Sequence, residues 1–557
     1  DETRAAYVAG QLELVDHMVD WQLAAGDVAG ALSTLERGRA RVLLDQIAAS
    51  GVDLRAGIDP ATLGPLAAAE RGAEASLAAA HRSIQDARSD PSLSARQKLE
   101  TLAALEARRD SAALELALAR RRIEDASPVW RSVLSAEGRV ASLAQLQRDV
   151  VPHDGLLLAY HVGGRSCHVF VVPPRGPARA YPLVLGAEAA ATLGEAPGPL
   201  DEATLERIVG GTSASKAQRA LPGIVGLLGG TSSGGFLELP LRSGAAPDSF
   251  EQRLHALWLT LIPEPVREPL RAARTAVVVP DGALQLIAFE ALVSRPRSRS
   301  SKTTRYWLDD GPAIAYGPSA SSLRSLALRP SPARRQGDSR AEVLSVSAVA
   351  FGTSAQRGRA WAPLPGTAAE SRALEAAFGP GHVEVLSGAG AREPAVRSAL
   401  AGRRFVHIAT HGFTDVSADR LLAGLVLAPP PAPPTSSDDD GMLELFEIHR
   451  LSIDCELAVL SACETARGPR VAGEGSFALS RAFLAAGARR VVASLWVVDD
   501  HVAPVVVGRL FRSVAEAEHA SRPCDFAAAL RAAKLEVRRD PRYADPFYWA
   551  PFVLNGR

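Results

Sequence analysis

The sequence predicts an α/β protein, a mostly parallel sheet covered by helices, preceded by an all-α region. Three observations carry that expectation. Apolar residues recur at three-to-four spacing through the first stretch of the chain, the period of a buried helix face. At about residue 140 the pattern changes to short, β-rich apolar runs. From about residue 340 such runs alternate regularly with helical segments, the pattern of parallel strands joined by crossover helices.

Composition sets limits. At about 150 residues per domain, 557 residues allow roughly three to four units. Hydrophobic residues make up 47% and charged residues 22%, the mix of a packed globular chain and not of a disordered one. Lys+Arg (62) equals Asp+Glu (62), so no global field draws the chain to nucleic acid or to an anionic membrane. Four cysteines (Cys167, Cys455, Cys463, Cys524) without a CxxC pair suggest neither a disulfide framework nor a zinc knuckle, and a reducing cytoplasm is the simplest home. No apolar run approaches the roughly 18 residues of a membrane span. The first residue is Asp1, and the chain is expected to begin partway through a longer protein or after processing.

Residues 1–50 read as a helical pair. Leu12, Val15, Val19 and Leu23 mark one face, Gly26-Asp27 breaks the pattern, and a second helix follows. The pair resembles one unit of a tetratricopeptide array, whose repeat is 34 residues long. Residues 51–135 are rich in Ala, Leu, Glu and Arg and read as a long helical hairpin or spacer, with a turn and a Ser-capped restart at 89–96. Residues 140–330 begin with GLLLAYHVGG and SCHVFVVP, a strand pair around Gly163-Gly164, and include TAVVVPDGALQLIAFEALV (275–293), a buried strand, a turn and a short helix. GGTSASK (210–216) lacks the glycine before the lysine and follows no strand, so no phosphate loop is assigned. Residues 340–557 supply the strands VLSVSAVAF, HVEVL, RFVHIAT, LAVLSA and VVASLW with helices between them, then two closing helices. A Pro-rich loop interrupts them at 428–441.

Catalytic groups in parallel sheets sit beyond the carboxyl ends of the strands. RFVHIAT runs into His411-Gly412 and LAVLSA runs into Cys463, so two strands deliver an imidazole and a thiol to one rim. A thiol nucleophile needs such a base on a rigid support. The separation, 463 − 411 = 52 residues, is near the His-to-Cys spacing of caspases, although SACET replaces the caspase string around the cysteine. His407 and His411 form HxxxH, but on a strand and without the glutamate of HExxH; His407 is expected to be a structural histidine inside the sheet, and no metal or cofactor is expected.

VHIATHG, LAVLSACETARG, GEGSFALSRAFLAAGARRVVASLWVVDD and DPFYWAPFVLNG, with PLPGTAAE (363–370), VVVPDGALQLIAFEAL and YGPSASSL upstream, resemble the CHAT family of caspase-like peptidases related to separases, over about residues 150–557. The resemblance implies a caspase-like fold in which 140–330 is a degenerate half and 340–557 the active one. It implies Cys463 as nucleophile, His411 as general base and then acid, and the backbone N–H groups of Gly412 and Cys463 as the oxyanion hole. It also implies an S1 acid at Asp500, with Asp499 beside it and Trp496 as a wall. The two aspartates can equally cap the helix that follows, and both readings stay open. The expected function is a cysteine endopeptidase acting on a protein partner and gated by a regulator on the N-terminal helices. The alternative is an interaction scaffold that keeps the fold without the activity.

Overall fold

The computed structural model describes residues 2–49, 58–89, 95–126, 140–210, 247–298, 303–329, 341–347, 361, 363–417, 420–430, 439–462 and 478–557. The chain divides into two compact units, Asp1–Val42 with Val140–Arg557, and Leu43–Arg139. Most of the GGTSASK stretch and all of Cys463 lie outside the described residues. Among the described residues, no helix is long and apolar enough to cross a membrane.

Helices α1 (Glu2–Ala24) and α2 (Val28–Ala49) are separated at Gly26, whose φ of +80° is a left-handed conformation suited to glycine. Asp27 Oδ1 accepts the Gly30 N–H at 2.8 Å and starts the second helix. In the smaller unit, α3 (Pro60–Ser89) and α4 (Ala95–Ala126) pack along one another. Their buried faces are built from small and aliphatic residues, Ala67, Ala73, Ile84 and Ala87 on one and Ala112, Leu116, Ala119 and Ile123 on the other. Such residues at helical spacing let two helices approach closely.

The larger unit is organised by one sheet of 11 strands. In chain order these are β1 (Gly155–Val162), β2 (Cys167–Val172), β3 (Arg179–Pro182), β4 (Thr275–Val279), β5 (Ala313–Tyr316), β6 (Val343–Ser347), β7 (Val383–Ser387), β8 (Phe405–Thr410), β12 (Leu457–Ala462), β13 (Arg490–Ser494) and β14 (Phe552–Gly556). Numbers β9 (Gly412–Ser417), β10 (Arg420–Val426) and β11 (Met442–Glu444) belong to a small antiparallel sheet that leaves the rim after β8. The spatial order is β7-β6-β8-β12-β13-β14-β5-β4-β1-β2-β3. Of its ten neighbouring pairs, seven are parallel, so the sheet is mostly parallel as its sequence pattern predicts.

Alternating strand residues feed apolar layers on both faces. Leu156, Leu158 and Tyr160 of β1 join one core, and Leu157 and Ala159 join the other. Helices α5 (Ala320–Ala327), α6 (Gly366–Phe378), α7 (Glu393–Leu400), α8 (Ala478–Ala485), α9 (Ala503–His519) and α10 (Phe526–Arg539) supply much of the cover. Glu36 of α2 is fully buried, and its carboxylate accepts the Ala320 and Ser321 N–H groups at 3.1 and 2.7 Å. A side chain of the N-terminal helical pair thus caps α5, where an anion is favoured by the free amides and the helix dipole.

The final strand reverses the simple pattern. After the two closing helices, FVLNG of β14 returns to the middle of the sheet, antiparallel to β13 and parallel to β5. β6, β7, β8, β12 and β13 therefore run opposite to β1, β4 and β5, and the carboxyl ends of the two groups lie on opposite edges of one sheet.

Candidate active site

β8 and β12 are adjacent parallel strands in which Thr410 pairs with Ala462. The residue directly after the first strand is His411, and Cys463 follows Ala462 in sequence. Both strands are buried along their whole length, which gives the rim a rigid support. Ser494, at the end of β13, donates its hydroxyl to the Ala462 carbonyl at 2.6 Å and anchors the peptide directly ahead of Cys463.

His411 is half-buried. Its carbonyl accepts the Val426 N–H at 2.9 Å, and the Thr410 hydroxyl donates to the Val426 carbonyl. Gly412 opens β9 opposite Leu425. The imidazole lies against Trp361, with ring centroids 5.2 Å apart and planes inclined by 37°. Trp361 packs in turn with Phe413, Val426 and Met442 in a small apolar cluster. An apolar wall on one side of an imidazole restricts its rotation and excludes water from that face. The sequence reading did not single out Trp361; its available signal was adjacency to the PLPGTAAE string.

His407 is fully buried three residues before the end of the strand. Its Nδ1 lies 2.9 Å from Ser345 Oγ and its Nε2 3.0 Å from Glu370 Oε2. Both ring nitrogens are used inside the protein, which makes His407 the structural histidine its strand position predicts.

The three residues expected at S1 take different places. Trp496 is 1% exposed, and its Nε1 donates to the Phe547 carbonyl at 3.0 Å. Asp499 Oδ1 accepts the His501 N–H at 2.8 Å, and its carbonyl accepts the Val502 and Ala503 amides, both at 3.0 Å, at the start of α9. Asp500 Oδ2 accepts the Gly366 N–H at 2.7 Å, at the N-terminus of α6. A Cβ at Gly366 would come within 2.1 Å of the Asp500 carbonyl oxygen, so only glycine allows this approach. The PLPG turn is thus shaped to receive Asp500. Asp439 is a further acidic residue that sequence reasoning passed over. It precedes β11, is 2% exposed, and neither of its carboxylate oxygens has a hydrogen-bond partner among the described residues.

Burial pushes the Cys167 thiol up to about 12 and the Cys524 thiol up to about 11. Cys455 is fully buried and is raised further, again chiefly by desolvation. None of these three forms thiolate readily near neutrality.

The fold and site define a class: a mostly parallel α/β sheet whose carboxyl edge presents a histidine, with a cysteine one residue beyond the neighbouring strand. The CHAT domain profile matches residues 251–557, more than half of the chain, and the chain belongs to this family. Human tetratricopeptide repeat protein 28 is 28% identical over 319 residues, a match that covers 52% of this chain and 12% of that protein. The match therefore spans only about an eighth of the relative's length. Among solved structures, the Arg-specific cysteine proteinase gingipain R of Porphyromonas gingivalis is similar at a TM-score of 0.34 with 11% identity, covering 56% of this chain and 68% of that one. The separase–securin complex of Saccharomyces cerevisiae is similar at a TM-score of 0.37 with 11% identity, covering 96% of this chain and 42% of that one.

Proposed function

We propose that this protein is a cysteine endopeptidase working through a His411–Cys463 dyad. The observation that carries the reading is the Thr410–Ala462 pairing, which puts the two chemically competent residues next in sequence after aligned positions of adjacent parallel strands. Membership of a peptidase-type family supports it. His411 takes the thiol proton, and Cys463 Sγ attacks the scissile carbonyl. The C–N bond breaks as His411 returns the proton to the leaving amine. Water, deprotonated by His411, then hydrolyses the thioester and releases the free carboxyl product. The N–H groups of Gly412 and Cys463 hold the oxyanion, with each such donor worth about 3–4 kcal/mol.

For specificity, a carboxylate facing the P1 side chain selects Arg or Lys. Asp500 is the acid that its offset from Trp496 nominates, and its Oδ2 already serves Gly366. Asp439 is the second candidate, because a buried carboxylate without a partner favours a cation. A regulator on the helical region is supported by Leu114 and Leu118 of α4, one turn apart and 62% and 51% exposed.

The test compares new protein N-termini in cells expressing the wild type or Cys463→Ala. Termini found only with the wild type support the peptidase. Identical sets from both, with an accessory partner present, favour the scaffold. Among true cleavage sites, loss of basic P1 residues in Asp439→Asn or in Asp500→Asn identifies the S1 acid.

A further inference from the structure

At the opposite edge of the sheet, α1 and the β1–β2 hairpin bring two imidazoles and two carboxylates together. His161 and His168 are register partners across the hairpin, with ring centroids 6.1 Å apart and planes inclined by 21°. Asp16 and Asp20 stand one helical turn apart on α1. One ligand atom from each of Asp20, His161 and His168 lies within 4.8 Å of the others. His161 is 1% exposed, and the Nδ1 atoms of both histidines are buried without a hydrogen-bond partner among the described residues. Orphaned imidazole nitrogens are costly to bury, and two of them beside a carboxylate call for a shared partner. The Gly163 turn also accommodates the ring, since a Cβ there would meet His161 Cε1 at 2.9 Å.

We propose that Asp20, His161 and His168 bind one divalent transition-metal ion, zinc on the chemistry of the set, clasping α1 to the β1–β2 hairpin. Two imidazoles and one carboxylate form a borderline donor set of the kind zinc takes, with water in a fourth position. His161 Nε2 lies 2.9 Å from Asp16 Oδ1, so that contact fixes the ring and leaves Nδ1 as the lone pair for the metal. Asp20 Oδ1 accepts the Ser166 hydroxyl at 2.8 Å, and Asp16 Oδ2 accepts the Gly164 N–H at 3.4 Å. Bonds of about 2.0–2.2 Å place ligand atoms roughly 3.3 Å apart, a closure within reach of side-chain rotation. The ion would be structural, because β1 runs opposite to β8 and its end lies away from His411.

The ligands lie far apart in sequence, Asp20 on α1 and His161 on β1, so no ligand spacing marks the site. The test uses the full chain with Cys463→Ala, which removes a competing thiol, stripped by chelator and titrated with zinc sulfate by calorimetry and thermal melting. One zinc per chain and a higher Tm are expected. Asp20→Asn and His168→Gln should each weaken zinc binding by at least 100-fold, and Asp16→Asn by about 10- to 100-fold. Cobalt in place of zinc should give the visible absorption of a four-coordinate site in the parent and not in Asp20→Asn. Asp20→Asn is isosteric and lies on a partly exposed helix face, so its fold, checked by circular dichroism, is retained. No stoichiometric zinc in the parent, or unchanged affinity in Asp20→Asn and His168→Gln, overturns the proposal.

Discussion

His411 is held by the Val426 amide on its carbonyl and by Trp361 against its ring, and in the proposed dyad this orients the base. Trp361→Ala is therefore expected to lower kcat by about 10- to 100-fold through loss of orientation, with a smaller change in KM. Steady-state kinetics on a cleavable peptide checks this. Gly366 gives a stability prediction: Gly366→Ala should cost more than Asp500→Asn, because the alanine Cβ collides with backbone while the asparagine can still accept the Gly366 amide. About 1 kcal/mol or less is expected for the isosteric change and several for the collision, read by denaturant melts. As candidates, His411 and Cys463 were legible in the sequence because each directly follows an apolar run that ends abruptly. Trp361 and Asp439 were not, because tertiary packing alone brings Trp361 to His411 and seals Asp439.

At the scale of elements, the parallel strands were legible because both faces are covered and their runs are continuously apolar. The β9–β11 sheet was not, because β11 has only three residues and a Pro-rich loop falls between β10 and β11. Beside that sheet, Glu393 of α7 and Glu447 share Arg397, whose Nη1 lies 3.1 and 3.0 Å from their carboxylates. Burial, with Glu393 close by, holds Glu447 well above the usual carboxylate range. A raised carboxyl stabilises the fold fully below its unfolded pKa of about 4.5, and that contribution is lost as pH rises toward the folded value. Glu447→Gln mimics the protonated form. Its Tm should gain on the wild type by about 1–3 °C between pH 5 and pH 8, and a constant difference across that range would contradict the assignment.

At the scale of the molecule, the segments 140–330 and 340–557 are interlocked. β14 is inserted beside β5, and α10 reaches across with Lys534 Nζ 2.7 Å from Glu290 Oε1 and Arg531 donating to the Leu308 and Asp309 carbonyls. Lys534 is 1% exposed, and Tyr316 donates its hydroxyl to the same Glu290 carboxylate at 2.6 Å. Lys534→Met strands that charge and should destabilise by about 3–5 kcal/mol, whereas adding Glu290→Gln should recover part of the loss. A fragment beginning at residue 340 is expected not to fold alone, since it would expose the β14 edge and the inner face of α10; a cooperative melt from that fragment would refute this. The sequence conveyed the layers but not the interlock, because a five-residue strand after two helices carries little signal of where it pairs.

The dyad itself is tested most directly by the pH dependence of Cys463 alkylation with iodoacetamide, read by mass spectrometry in the wild type and in His411→Ala. A neighbouring imidazolium should give Cys463 an apparent pKa below the free-thiol value of about 8.5, moving back toward it when His411 is removed, while Cys167, Cys455 and Cys524 stay unlabelled near neutrality. Identical Cys463 profiles in the two proteins would contradict the pairing of imidazole and thiol on which the proposed activity rests.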